Sequence, residues 1–583
     1  MSAEQALPNP EQGSESVKTD AMGHRVGRSM VWMLGTSVLI KALSFVAQVA
    51  MGWYLSDRDF GVFALAFAFV GLCSFIREGG ARDYLIQQGP KRYHELVGPL
   101  FWMAMTLTVC VCVVLLGLAG LVKALPTLLP LEAGRESSAP WYYFSTYRDP
   151  RLPWLLALGV VLMLLNTPSS FTSAKLQIEL RFDTLGKVQI GSGLIRYGTM
   201  IFLAAKGFGP FSFMIASIEV CLYELIVFGL VVKMNLFRQP ARPHLWRGFM
   251  ALTFWLAVGF FGNFLVEWGN SAAVGLFRPQ AIVGYYYFAF GLTVQLVVLL
   301  SVNAQQVLMP ALTRLNNEPE RQGCAVSRVT QTLILVASGL CLGFSVVADS
   351  VLTIIWHGKW EPAVLAVQIF GIFFPMRMTY GLTLAVLQAK GQFRKWAITS
   401  MIEAVLLFAA AGLGAWYAPG AEWPTLFVGV ALVFSRTAIT AVVLKDGGVG
   451  VRERLKAQFP AWGLSLIAAA IAWGVDIYLV GLTRWQSLQG WLVGHAHLTG
   501  QAADRWGPVL MEFVRAAVLG SIFTLGYALL VRFVMPGVVA DTIAHAPRKI
   551  RGLAARLAFI NLQPPASAEQ AAAETDMSNT ARD

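Results

Sequence analysis

The sequence predicts an all-α, polytopic membrane protein of about fourteen transmembrane helices, arranged as two six-helix bundles plus two extra C-terminal helices. Three observations carry this. Hydrophobic residues make up 56% of the 583 and charged ones only 13%, a balance that no soluble core needs. Apolar runs of bilayer-crossing length, roughly 20 residues, recur fourteen times. Lysine and arginine gather in alternate connections between those runs. Helices are the structure open to such spans, because a segment in hydrocarbon must satisfy its own backbone polar groups.

The runs fall near 29–55, 60–76, 96–122, 153–172, 188–205, 210–232, 249–273, 283–306, 329–356, 362–388, 396–417, 425–444, 460–483 and 508–535. Ahead of them, residues 1–22 are polar and include Glu4, Glu11, Glu15 and Asp20, so no cleavable signal peptide is expected. Ser56-Asp57-Arg58-Asp59 turns the first hairpin. Residues 77–88, half charged and half apolar, are expected to lie along the membrane surface. The longer connection 123–152 is rich in Pro, Trp and Tyr and is expected to rest on the outer interface. Near the C-terminus, Ile550, Leu553, Leu557 and Ile560 form an apolar face against Arg548, Lys549, Arg551 and Arg556, the pattern of a basic amphipathic helix on the inner leaflet. Residues 564–583 are expected to be disordered.

Counting connections from the N-terminus, one side carries 28 lysines and arginines and the other 10. Both termini are therefore expected in the cytoplasm. The net charge of +12 follows this asymmetry, so nucleic acid is not an expected partner. The six cysteines fall in spans or inner connections, where they serve as small hydrophobes. His495 and His497 alone do not make a metal site. No connection is long enough for a catalytic domain, and no GxxxxGK[ST] loop is present. The string Asp57-Arg58-Asp59 lies on the outer side, away from nucleotide sugars. No enzyme activity, catalytic residue, metal or cofactor is expected.

Two correspondences point to an internal repeat. Ala174, Leu176, Gln177 and Phe182 match the spacing of Ala385, Leu387, Gln388 and Phe393, and Gly61, Ala66 and Phe67 match Gly284, Ala289 and Phe290. The offsets are 211 and 223 residues, each six spans. Two parallel copies related by an axis along the membrane normal are expected, with the path between them. The division reads 1–28, cytoplasmic segment; 29–232, first bundle; 233–444, second bundle; 445–535, two added helices; 536–583, amphipathic helix and tail.

Ionisable residues inside the spans are the candidate site. Ser37, Lys41, Ser44 and Gln48 share one helix face. A lysine there costs about 2.5–3.5 kcal/mol on insertion scales, so it is satisfied by a neighbouring helix or lines a hydrated cavity. By depth, Arg377, Glu403 and Arg436 lie within about one turn of each other. Two guanidinium groups about one carboxylate suit a diphosphate, or close a packing network. Asn263, Glu267 and Asn270 share a face, with Glu267 either a coupling carboxylate or the partner of Lys41. Arg196 with Glu219 and Glu224, and Asp476 with Arg515, read as structural pairs. Arg77 and Arg82 are placed for cytoplasmic entry, or hold topology and interfacial lipid.

Several further stretches carry a resemblance. They are the Gly61 helix after its Leu-Ser-Asp turn, Arg77-Glu78-Gly79-Gly80 through Tyr84-Leu85-Ile86-Gln87, and Leu176-Gln177-Ile178-Glu179-Leu180-Arg181-Phe182. Gly284-Tyr285-Tyr286 with Ala289, Trp356-His357-Gly358-Lys359-Trp360 with Ala363, and Ala389-Lys390-Gly391 complete the set. In this order, over residues 25–445, the chain resembles the polysaccharide transporters, or O-antigen-type oligosaccharide flippases, of the MOP exporter superfamily. The resemblance implies two six-helix bundles around a central cavity, in the bacterial inner membrane. It implies flipping of a polyprenyl-diphosphate-linked oligosaccharide to the outer leaflet by alternating access. Membrane lipids, and a polysaccharide polymerase with export machinery, are the implied partners. The rival readings are a multidrug/cation antiporter, a lipid II flippase, and more distantly a membrane glycosyltransferase or polymerase.

Overall fold

The computed structural model describes residues 35–36, 39–78, 80–128, 147–179, 181–232, 236–314, 318–481 and 501–538, and every regular element among them is helical. The first half runs through α1 (Leu39–Tyr54), α2 (Asp57–Glu78), α3 (Ala81–Leu128), α4 (Leu152–Ile178), α5 (Phe182–Ala205) and α6 (Phe211–Val232). A broken span follows: α7 (Trp246–Phe264), a π-helical turn (Leu265–Gly269) and α8 (Asn270–Phe277). Then come α9 (Gln280–Arg314) and α10 (Pro319–Trp356). A second broken span joins α11 (Val364–Phe373), a 3-10 turn (Phe374–Met378) and α12 (Thr379–Ala389). The order closes with α13 (Phe393–Tyr417), α14 (Glu422–Lys445), α15 (Val451–Gly481) and α16 (Gln501–Val534). Among the described residues ten helices are long and apolar enough to cross a membrane, or eleven with the bent span around α7 and α8. By that measure the expected fourteen is not reached, and α1 is a shorter apolar helix.

In the first half α2 packs on α3 and α4, α4 on α3 and α6, and α5 on α6. In the second, α9 lies against α11 and α12, α10 against α11, and α13 against α7, α8 and α14. The halves meet chiefly where α2 crosses α9. Glycine makes this crossing close: a Cβ on Gly61 would overlap the Gln280 carbonyl, and one on Gly284 would overlap the Asp57 carbonyl. Each glycine stands four residues after the carbonyl its counterpart approaches, so the contact is reciprocal. Small residues let helices approach in this way in lipid, where apolar burial between helices offers little.

The turns at the other sequence correspondence also match. After α4 the Arg181 N–H donates to the Leu176 carbonyl, and after α12 the Gln392 N–H donates to the Leu387 carbonyl, both at 2.9 Å. Both donor residues take the same backbone angles, near φ −85° with ψ 56° and 52°.

The added hairpin α15–α16 lies on α10, where Leu342 and Val346 meet Ala468, Ala469, Ala472, Leu519 and Phe523. Arg515 bonds Asp476 at 2.9 and 2.6 Å, the expected pair, and also reaches Asp349 of α10 at 2.9 Å.

Other expectations fare differently. Residues from Ala81 onward turn apolar side chains onto protein: Leu85, Tyr93 and Val97 are buried with Phe171, Leu236 and Phe249, in an α3 that runs unbroken from this segment into its span. Of the 123–152 connection, Tyr147 turns inward and is buried. Arg196 is exposed and, among the described residues, forms no ion pair; Glu224 accepts the hydroxyls of Ser169 (3.2 Å) and Ser192 (2.8 Å) instead. Ser37, the histidines at 495 and 497, the amphipathic stretch near 548–560 and the tail 564–583 lie outside the described residues.

Candidate functional site

The two turns that interrupt the broken spans of the second half each carry a charged side chain. The π-helical turn holds Glu267, and the 3-10 turn, opened by Pro375, holds Arg377. A π-turn adds a residue to the ring of backbone bonds and re-aims its side chains. The Glu267 turn packs on α2 of the first half and α13 of the second. Arg377 forms an ion pair with Glu267, and its guanidinium lies 5.4 Å from the Phe290 ring and 5.6 Å from Phe374.

A second pair lies beside the first. Arg436 of α14 pairs with Glu403 of α13, Ser435 donates a hydroxyl to the same carboxylate at 3.2 Å, and Tyr380 faces the guanidinium at 4.8 Å. The charges of Arg377 and Glu267 reach Arg436, so the four side chains form one electrostatic neighbourhood. Arg377 thus takes Glu267 rather than sharing Glu403, and two cations meet two carboxylates.

The pairs differ in exposure. Side chains of Arg436 and Glu403 are 3% and 1% exposed, whereas Arg377 is 6% and Glu267 is 26%. One pair is sealed. The other is open on its carboxylate side.

Lys41 of α1 is half-buried and lies in the field of Glu267. Among the described residues it has no ion pair within 4.0 Å. On the same face, Ser44 accepts the Gln295 amide of α9 at 3.2 Å. Asn263, half-buried, and Asn270, buried, each leave their amide oxygen without a hydrogen bond among the described residues, as does the buried Tyr286 hydroxyl. Arg82 is half-buried at the start of α3, and the Arg77 side chain lies outside the described residues. The arrangement therefore pairs Glu267 with Arg377, sets Arg436 and Glu403 adjacent, and leaves Lys41 in the field of Glu267 without a direct contact among the described residues. Of the aromatic partners, Phe290 was marked by sequence only as part of the repeat and Phe374 and Tyr380 not at all; the run Tyr285-Tyr286-Tyr287-Phe288 beside Phe290 was the available signal.

The family model described as "Polysaccharide biosynthesis protein" matches residues 51–125 and 139–365. A relative named "Uncharacterized membrane protein in cps region", from Klebsiella pneumoniae, is 22% identical over 376 residues, 63% of this chain and 71% of the relative. Among solved structures, "Lipid II flippase MurJ, inward closed conformation" superposes with a TM-score of 0.58 at 11% identity, covering 86% of this chain and 98% of that one. An "Inward-facing conformation of a multidrug resistance MATE family transporter of the MOP superfamily" gives 0.53 at 13% identity, covering 70% and 95%. At such identities the two structures show a shared fold.

Proposed function

Because this chain belongs to the polysaccharide biosynthesis protein family, we propose that it carries a polyprenyl-diphosphate-linked oligosaccharide across the bacterial inner membrane, from the cytoplasmic to the outer leaflet. The observation that supports this most is the unequal sealing of the two charge pairs. A guanidinium with an open carboxylate beside it, and an ammonium without an ion pair among the described residues, make a site where an arriving anion can take the place of Glu267. The planar fork of Arg377 matches phosphate oxygens bidentately, and Lys41 adds a point charge. Arg436 and Glu403 hold the wall of that site, and Asn263 offers an amide to the glycan or head group. Arg77 and Arg82 lie at the cytoplasmic mouth.

No covalent chemistry is required. The two bundles rock so that the space between them opens to alternate sides, the α2–α9 seam parting on the outer side, shielding glycan and diphosphate while the polyprenyl tail stays in lipid. The charge-poor end of the helices then faces outward, and the translocated unit passes to a polymerase and export machinery.

The test is complementation of a deletion strain. Arg377→Ala and Lys41→Ala variants should insert normally yet lose surface polysaccharide and accumulate lipid-linked units on the inner side. Normal export by the double variant would sink the assignment. Export unaffected by deletion, with altered drug sensitivity instead, would favour an antiporter.

A further inference from the structure

At the end poorer in lysine and arginine, each half reaches across to the end region of a helix of the other. The turn between α10 and α11 sits on the last turn of α1. Trp356 Nε1 donates to the Val49 carbonyl at 3.0 Å, and Trp360 Nε1 to the Gly52 carbonyl at 2.9 Å. Between them Lys359 Nζ donates to the carbonyls of Gly52, Trp53 and Leu55 at 3.0, 2.8 and 2.6 Å. Trp53 Nε1 answers with a bond to the Ile355 carbonyl at 2.6 Å. Gly52 is required here, since a Cβ would overlap the Trp356 indole. His357 and Gly358 both take left-handed backbone, with φ of 52° and 80°, which folds the lysine back onto α1.

The opposite flank repeats the device more lightly. Tyr147, just ahead of α4, donates its hydroxyl to the Ala272 carbonyl of α8 at 2.9 Å, and Asp149 bonds the Gln280 side chain at the head of α9. Val49 and Ala272 are 223 residues apart, as are Gly61 and Gly284. The two flanks are thus counterparts under the internal repeat, one built on a lysine at the α1 terminus and the other on a tyrosine and an aspartate ahead of α4.

The last carbonyls of a helix have no partner within it, and a cation placed there is favoured by the helix dipole. In most helices such a cap comes from nearby in the chain. Here it comes from more than 300 residues away, across the seam that alternating access must open. Once released, the same carbonyls find water at the interface, so the contact is firm and reversible.

We propose that the turn between α10 and α11, with Lys359 at its centre, is the lock that holds the outer side shut, and that outward opening requires the ammonium to leave the α1 terminus. This rests on the reading of the chain as an alternating-access transporter.

The experiment reads conformation directly. In a variant with its six cysteines replaced, Phe63→Cys places a thiol at the seam, where the Phe63 ring lies against Phe213 and Tyr287. Reaction with a membrane-impermeant maleimide is followed from the outer side of intact cells. Adding Lys359→Met should raise the labelling rate at least about tenfold, since even one of its three charge-assisted bonds accounts for that much. Adding Lys359→Arg should leave it near the parent rate. Should the Met variant fail to accumulate, Trp356→Phe with Trp360→Phe takes its place and must also speed labelling. Unchanged labelling with intact glycan export overturns the lock alone. Faster labelling of the Met variant, with the parent chain moving no lipid-linked glycan, supports the lock and overturns the proposed cargo.

Discussion

Two arginines of similar depth do different work because their carboxylate partners differ in exposure. Glu403 is sealed, so Arg436→Ala leaves a buried charge without its partner, a loss of about 3–5 kcal/mol. The expected result is less folded protein, read by thermal unfolding in detergent. Arg377→Ala exposes a carboxylate that water already reaches, so the protein should accumulate normally while transport falls at least tenfold, read by surface glycan. A third residue makes a pH statement. Burial pushes the Asp149 carboxyl up, but the hydrogen bonds and charge of Arg151 outweigh it and hold the group below its ordinary 3.8. Its contribution is complete above that value and is lost as pH falls beneath it. Proteolysis near Tyr147 should therefore accelerate below about pH 4, and Asp149→Asn should be fast at neutral pH as well. The charged residues of the site were legible in the sequence because charge is rare in apolar runs. Their pairing was not: Glu267 turns toward Arg377 through a π-turn and a 3-10 turn that no spacing rule anticipates.

Among elements, the crossing of α2 and α9 sets how near the halves come. Gly61→Ala and Gly284→Ala each drive a methyl into a backbone carbonyl, and by the reciprocity of the contact the two should weaken the protein to a similar degree. Gly117→Ala, with nothing within 4 Å of the new methyl, should be neutral or slightly stabilising as a helix substitution. Thermal stability of the three purified variants, side by side, checks this. The matching glycines were visible as a spaced pair of motifs; that they touch one another's partners was not, because spacing records period and not the rotation of one helix against its neighbour. The segment after Gly80 was misread for a related reason. Its charges suit an interface, but Leu85 and Tyr93 find protein there, since α3 extends beyond its span and meets Leu236 and Phe249.

For the molecule as a whole, the recurring apolar runs announced the all-helical, many-span architecture, and the offset glycine motifs marked the crossing of α2 and α9. The long-range attachments came only with coordinates, above all the hairpin α15–α16 on the flank of α10. Because that hairpin touches neither Arg377 nor Glu267 among the contacts described, Arg515→Ala should lower stability yet keep the transport rate per folded molecule, measured in proteoliposomes at matched protein density. Its ion cluster also bears on biogenesis. Asp349 leaves the ribosome 166 residues before Arg515, an interval of about ten to thirty seconds at ordinary elongation rates. For that time an acidic side chain waits at the membrane without the cation it will finally keep, and this ion cluster closes only when the last helix arrives.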